Sequence, residues 1–465
     1  MSNHHRNEYQ TTIVEPSDGV RLESYEPHVG SERVESLRRL AEPLRGMRWA
    51  HLNSTADGGG VAEMIRSIVP LARALGVDTS WHVLRGDDEF FQVTKKFHNL
   101  LQGVDQPISM DEIMGTYLDT IMKNGHGASI EADLIVVHDP QPIGLVAHDM
   151  LLGNVVWRCH IDTYSPDQTI WRFLLPYINQ CDGAIFTMPE FVGAGVRVPQ
   201  YEISPCIDPL TAKNQTYSRE NALDVLSTLF DETNVDPERP IFAAISRYDI
   251  HKNQTSVLRA FQKMRDEHRP DPAPYLIFLG NTATDDPEGG TVLGQLTAEA
   301  GNDRDVRFWV NVDDNDRVVG ALNTIARAVV HVSTREGFGL VVSEALWQGT
   351  PVIGSRTGGI VKQVIDGDTG RLVDAGDVDA IAASMAHMLE QPEAAEALGR
   401  RGRELVRERF LLPELLRRHL VLLRYYAGID RAYPDFRLNG TTHLDRRNVY
   451  RSRYIHPKSG SPDRD

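Results

Sequence analysis

The sequence predicts an α/β protein with two parallel-sheet halves, and three observations predict it. The first is length. At 465 residues the chain exceeds one ordinary core, and at roughly 100–200 residues per domain two domains are expected. The second is an alternation of short apolar runs with helical patterns that begins twice, near Arg48 and again at Pro240, as parallel sheets with helices on both faces require. The third is the character of the runs. VVWR, AAIS and YLIFL are apolar throughout, as strands buried on both faces should be. Together they predict two Rossmann-like parallel-sheet domains.

In order, residues 1–47 are a polar N-terminal extension with no obvious strand and a helix around Ser31–Leu44. The first domain, 48–215, carries candidate strands at Arg48–Ser54, Thr79–Leu84, Asp133–His138, Val155–His160 and Gly183–Met188. Its helices include Val61–Leu75 and Gln168–Gln180. The polar stretch Pro209–Arg239, with a helical pattern near Ala222–Phe230, joins the halves. The second domain, 216–410, offers strands at Ile241–Ser246, Tyr275–Leu279, Val306–Val310, Ala328–Ser333, Pro351–Gly354 and Gly370–Val373. Helices are expected at Gln254–His268, Asp316–Arg327, Leu340–Gln348 and Val378–Leu389. Helical patterns at Glu393–Arg409 and Pro413–Tyr426 follow. Segment 411–433 is expected to return to the first domain, and 434–465 is a charged tail whose last ten residues read as disordered.

Composition narrows the function. Hydrophobic residues make up 41% of the chain, and the formal net charge is -16, so the global field repels polyanions and disfavours nucleic acid. The three cysteines, Cys159, Cys181 and Cys206, form no C-x-x-C pair, which argues against a disulfide framework or structural zinc. The N-terminus MSNHHRNEYQ lacks the apolar centre of a signal peptide. No apolar run approaches the ~20 residues of a membrane helix. A soluble cytoplasmic protein with no membrane partner is expected, and a homodimer is a candidate assembly.

Four segments could carry chemistry. In Ser333-Thr-Arg-Glu-Gly-Phe-Gly-Leu-Val-Val-Ser-Glu a strand ends and a helix begins near Gly339, whose free N–H groups form an anion site. Glu336 and Glu344 flank it; carboxylates there suit neutral hydroxyls of a sugar or ribose. The bland alternative is a helix capped by Glu336 with Glu344 solvated. In Ser246-Arg-Tyr-Asp-Ile-His-Lys, Arg247 and Lys252 leave the carboxyl end of a strand, where open α/β sheets bind ligands. Two cations there suit a diphosphate, although an ordinary charged loop reads the same way. Gly58, Gly59 and Gly60 let backbone approach a ligand, or simply make a tight turn. His138-Asp139-Pro-Gln141 and His160-Ile-Asp162 end neighbouring strands at the same crevice, where a lone histidine is more often structural. The pairs Asp285-Asp286 and Asp313-Asp314 read as loop charges or helix N-caps rather than metal ligands.

In this order the motifs of the second half resemble the large retaining glycosyltransferase family with the GT-B fold, which includes sucrose and glycogen synthase relatives. Its Arg and Lys after the first C-terminal strand and its E-x7-E segment match Arg247, Lys252, Glu336 and Glu344. In the first half HLNSTADGGGVAEMIRSIVPL, FFQVTKKFHNLLQG, VVHDPQPIGL and WRCHIDTYSPD resemble trehalose synthases of the glycosyltransferring type and the related retaining trehalose phosphorylases. The resemblance covers Arg48 to Tyr426 and implies catalytic roles for Arg247, Lys252, Glu336 and His160. It implies donor binding by Gly59, Gly60, Gly280, Asn281, Asn311, Gly337, Phe338, Gly339, Leu340 and Glu344, with Glu63, Asp139, Gln141 and Asp162 as acceptor candidates. The implied substrates are a nucleoside-diphosphate glucose, glucose and trehalose. No cofactor is required on this reading, and metal is not essential, because the cations and helix end take its place. Two other readings stand beside it: phosphorolysis of trehalose, and a non-catalytic sugar or nucleotide-binding regulator on the same fold.

Overall fold

The computed structural model describes residues 11–16, 19–57, 59–282 and 287–438. Gly58, Asp285, Asp286 and the last ten residues of the tail lie outside the described residues.

The first sheet is built from β1 (Thr12–Val14), β2 (Arg48–Asn53), β3 (Asp78–Val83), β4 (Ile130–His138), β5 (Leu151–Arg158), β6 (Gly183–Phe186) and β7 (Gln200–Glu202). The second contains β8 (Ile241–Ile245), β9 (Tyr275–Gly280), β10 (Val306–Val310), β11 (Ala328–His331), β12 (Val352–Ser355) and β13 (Gly370–Val373). A last strand, β14 (Arg437–Leu438), returns to the first sheet. The strand orders are β1-β3-β2-β4-β5-β6-β7-β14 and β10-β9-β8-β11-β12-β13. All neighbours in the second sheet pair in parallel. In the first sheet only the two outermost pairs, β1 with β3 and β14 with β7, are antiparallel. The strand order reverses beside β2 and beside β8, so the loops after those strands sit at switch points where α/β sheets bind ligands.

The fully apolar strands behave as two-faced cores dictate. Ile241–Ile245 and Tyr275–Gly280 are buried at every position, with one apolar cluster around Phe242, Phe261 and Leu276 and another around Ile277, Trp309 and Val342. Helix Leu412–Tyr426 contributes Leu412, Leu416, Leu420 and Leu423 to the cluster of Trp49, Ile65 and Leu134. The last long helix among the described residues therefore packs on the first sheet.

Three expectations need correction. The N-terminal extension does contain a strand: β1 covers the edge of β3, a pairing invisible in TIV alone because three residues show no periodicity. The charged tail likewise starts with a strand, which closes the other edge. Asp314 occupies the N-cap position of helix Asn315–Ile325 but its side chain caps nothing. It sits at φ +50° and pairs with Arg317 at 3.2 Å instead.

Candidate active site

The loop after β8 is fixed before any ligand arrives. Asp249 Oδ1 accepts from the His251 N–H at 2.8 Å, and Gln254 Nε2 donates to Ser246 Oγ and to the Arg247 carbonyl. Asn253, in the left-handed region, donates to the carbonyls of Val332 and Ala375. This brings Lys252 to the end of β11. Its ammonium lies 2.7 Å from Glu336 Oε2. The same oxygen meets His331 Nε2 at 2.8 Å and the Ser333 hydroxyl at 3.2 Å. Burial alone would raise the Glu336 carboxyl, but Lys252 and His331 outweigh it and hold the group well below the usual carboxylate range. Glu336 is thus a fixed anion and an acceptor for hydroxyl donors. Arg247 lies exposed on the same loop.

The helix that follows, Leu340–Trp347, has Gly339 at its N-cap with φ +81° and no side-chain cap. Its N-terminal dipole and donors are left to a ligand. Neither half of the bland alternative is seen: Glu336 does not cap the helix, and Glu344 is only 3% exposed. Glu344 Oε1 lies 3.2 Å from Lys213, whose ammonium also meets Glu63 at 2.6 Å. Burial raises the Glu344 carboxyl, Lys213 opposes this, and Glu63 adds to it. Glu63 therefore stands beside Glu344, with Lys213 between them.

The two domains touch here. A Cβ on Gly337 would lie 2.2 Å from the His160 carbonyl oxygen, and one on Gly60 would lie 2.7 Å from Leu340 Cδ1. Both glycines serve close approach of the halves. Arg335 reaches Asp162 at 3.9 Å. Asp162, 2% exposed, accepts from the Tyr164 N–H and is raised by burial. Asp139 accepts from the His160 backbone N–H at 2.8 Å; burial pushes its carboxyl up to about 7. It thus braces His160. Gln141 carries a buried, unpartnered Oε1.

Other residues on the expected donor side have tasks within the protein. A Cβ on Gly280 would lie 1.9 Å from the Ser246 carbonyl, so that glycine serves strand packing. Asn311, at φ +51°, spends its amide on Thr282 and so shapes the turn that holds the exposed Asn281. The Phe338 ring is buried against Phe410, which leaves only the backbone of that residue for a ligand. Sequence reasoning missed Lys213, His331, Ser333, Arg335 and Gln363, whose Nε2 donates to the Phe338 carbonyl at 2.6 Å. A cation in a polar linker and a glutamine in a short helix give no local signal. His331, five residues before Glu336 at a strand end, could have been found.

A fixed carboxylate, two cations and an uncapped helix start, set at one switch point against a second parallel-sheet domain, form a candidate site of the kind a glycosyltransferase needs. Solved structures agree on the fold. The chain matches a sucrose-phosphate synthase from Thermosynechococcus elongatus with a TM-score of 0.63 at 18% identity, covering 83% of this chain and 100% of that one. It matches a UDP-forming α,α-trehalose-phosphate synthase from Burkholderia xenovorans, in complex with glucose-6-phosphate, with a TM-score of 0.66 at 14% identity, covering 81% and 100%. The fold is GT-B.

The family follows from sequence. Residues 51–193 match the family described as trehalose synthase, N-terminal domain, and residues 227–405 match glycosyl transferases group 1. The chain is 36% identical over 420 residues to the trehalose synthase of Pyrococcus horikoshii, covering 90% of this chain and 99% of that one. It is 38% identical over 415 residues to that of Rubrobacter xylanophilus, covering 88% and 97%. A trehalose phosphorylase from Pleurotus pulmonarius is 30% identical over 409 residues, with 78% of this chain and 55% of that one covered. The chain belongs to the trehalose synthase family of GT-B glycosyltransferases and is a hexosyltransferase of trehalose chemistry. Among the described residues no helix is long and apolar enough to cross a membrane.

Proposed function

We propose that the protein transfers glucose from a nucleoside-diphosphate glucose to free glucose, forming α,α-trehalose reversibly. The observation that carries this reading is the Lys252–Glu336 pair beside an uncapped helix N-terminus. The ammonium and helix end suit a diphosphate, and the ionised carboxylate suits sugar hydroxyls. Glu344 is the candidate for the ribose, reached when Lys213 shifts toward Glu63. The similarity to trehalose synthases spans nearly their full length, whereas it spans about half of the phosphorylase, which favours a nucleotide over inorganic phosphate.

The reaction needs no nucleophile from the protein. The acceptor hydroxyl oxygen attacks the anomeric carbon on the face from which the diphosphate leaves. The carbon–oxygen bond to phosphate breaks through an oxocarbenium-like state, and the hydroxyl proton passes to the departing phosphate oxygen. Arg247, Lys252 and the helix start stabilise the growing negative charge. Apposition of Gly337 with His160, and of Gly60 with Leu340, excludes water that would hydrolyse the donor.

The test is a screen of trehalose against UDP, ADP, GDP and inorganic phosphate. A nucleoside-diphosphate glucose should form. Glucose 1-phosphate made with phosphate alone would overturn the reading in favour of phosphorolysis, and no product from any of the four would favour a binding protein.

A further inference from the structure

The buried histidines of the first domain admit one arrangement of protons. Arg158, 1% exposed, donates from Nε to His160 Nε2 at 3.2 Å. A guanidinium keeps its protons, so that ring nitrogen is a bare acceptor. His138 Nδ1 lies 3.0 Å from the same atom and must carry the proton between them. A neutral imidazole holds one N–H, so His138 Nε2 is bare and accepts from His51 Nδ1 at 2.9 Å. The rings lie edge to edge in series, with centroids 5.2 and 5.3 Å apart and planes 29° and 13° from parallel. Burial, with Arg158 and His419 adding to it, holds all three well below the ordinary histidine range, hence neutral. The one proton left to His160 sits on Nδ1, which has no partner among the described residues.

We infer that His51, His138 and Arg158 are positioning residues that lock His160 as its neutral Nδ1–H tautomer, presenting a hydrogen-bond donor to a hydroxyl of the bound sugar. The backbone fixes where the donor sits. The His160 N–H is held by Asp139 and its carbonyl packs against Gly337 of the Glu336 loop. A free imidazole can flip or exchange tautomers; this one is gripped by two donors on the opposite nitrogen. The far end of the series has its own logic. His419 Nδ1 meets the Leu415 carbonyl at 2.9 Å, so it donates and leaves Nε2 bare. That atom, His51 Nε2, Trp49 Nε1 and Arg158 Nη1 are all buried without partners. The Trp49 ring lies 4.4 Å from His51 and 5.3 Å from His419.

The tautomer does not rest on the proposed reaction; its use toward a sugar does. The test is ¹⁵N–¹H correlation spectroscopy of histidine-labelled full-length protein, with the His160 signals assigned by their loss in His160→Asn. The expected result is a protonated Nδ1 and bare Nε2 in His160, with the same form in His138 and His51. An Nε2–H or doubly protonated His160 at neutral pH overturns the inference whether or not the protein makes trehalose. For the positioning role, His138→Leu should lower turnover about tenfold to a hundredfold, as removal of an orienting partner typically does. His138→Gln, which both donates and accepts, should recover most of it. Full turnover in both His138→Leu and Arg158→Met would remove the role.

Discussion

Replacing Lys252 by Met tests whether the centre of the site is a mutually dependent charge pair. Glu336 is 8% exposed, and after the change its Oε2 keeps only His331 and Ser333. Leaving one partner of a buried pair uncompensated costs about 3–5 kcal/mol. The bonds from His331 and Ser333 still hold the carboxylate, so a loss near the lower figure, about 3 kcal/mol, is expected. The pH dependence carries a sign. In the native protein the Glu336 carboxyl lies below its ordinary value, so its contribution is present above the unfolded value and fades as pH falls through the folded one. Without Lys252, burial dominates and the folded value rises above the unfolded one. The neutral acid is then the tolerated form, favoured at low pH and lost as pH rises through the raised value. The stabilities of variant and native protein should therefore converge on going from neutral toward acid pH. Turnover should fall about 10²–10³-fold, the typical loss for one removed charge-stabilising donor. Urea unfolding at several pH values, with steady-state rates on the same samples, measures both. Adding Glu336→Gln should restore stability but not turnover. A pH-independent loss below about 1 kcal/mol, or unchanged turnover, would refute the coupling.

Three further outcomes are expected. Glu344→Gln should raise KM for the nucleotide sugar about tenfold, equivalent to about 1.4 kcal/mol, with less effect on the acceptor; equal change in both constants would count against a ribose contact. Gly337→Ala places a methyl 2.2 Å from the His160 carbonyl, so kcat should drop steeply while circular dichroism stays native; a fully active variant would mean that the two loops need not meet. Activity should survive EDTA; loss that Mg²⁺ restores would show that the cations and helix start do not suffice.

Much of the fold was legible because it rests on local rules. Strands buried on both faces read as continuous apolar runs, and AAIS and YLIFL became β8 and β9. The strand–loop–helix around Glu336 was also legible, since a strand end, a glycine and an apolar helix leave few alternatives. The edge strands β1 and β14 were not, because a strand of two or three residues exists only through its partner.

By itself the sequence determined two parallel-sheet halves, the loops at their switch points, and the placing of Arg247 and Lys252 on one such loop and of Glu336 and Glu344 around a helix start. Tertiary structure decided how those residues are charged and held. Lys213 joins Glu344 to Glu63 across 281 positions of sequence between those two carboxylates (344 − 63). His51 and His138, 87 positions apart, become neighbours only because β2 and β4 lie side by side. The physical reason is range: backbone periodicity and turn chemistry act over a few residues, whereas burial, ion pairing and proton placement depend on what the folded chain brings within about 3 Å.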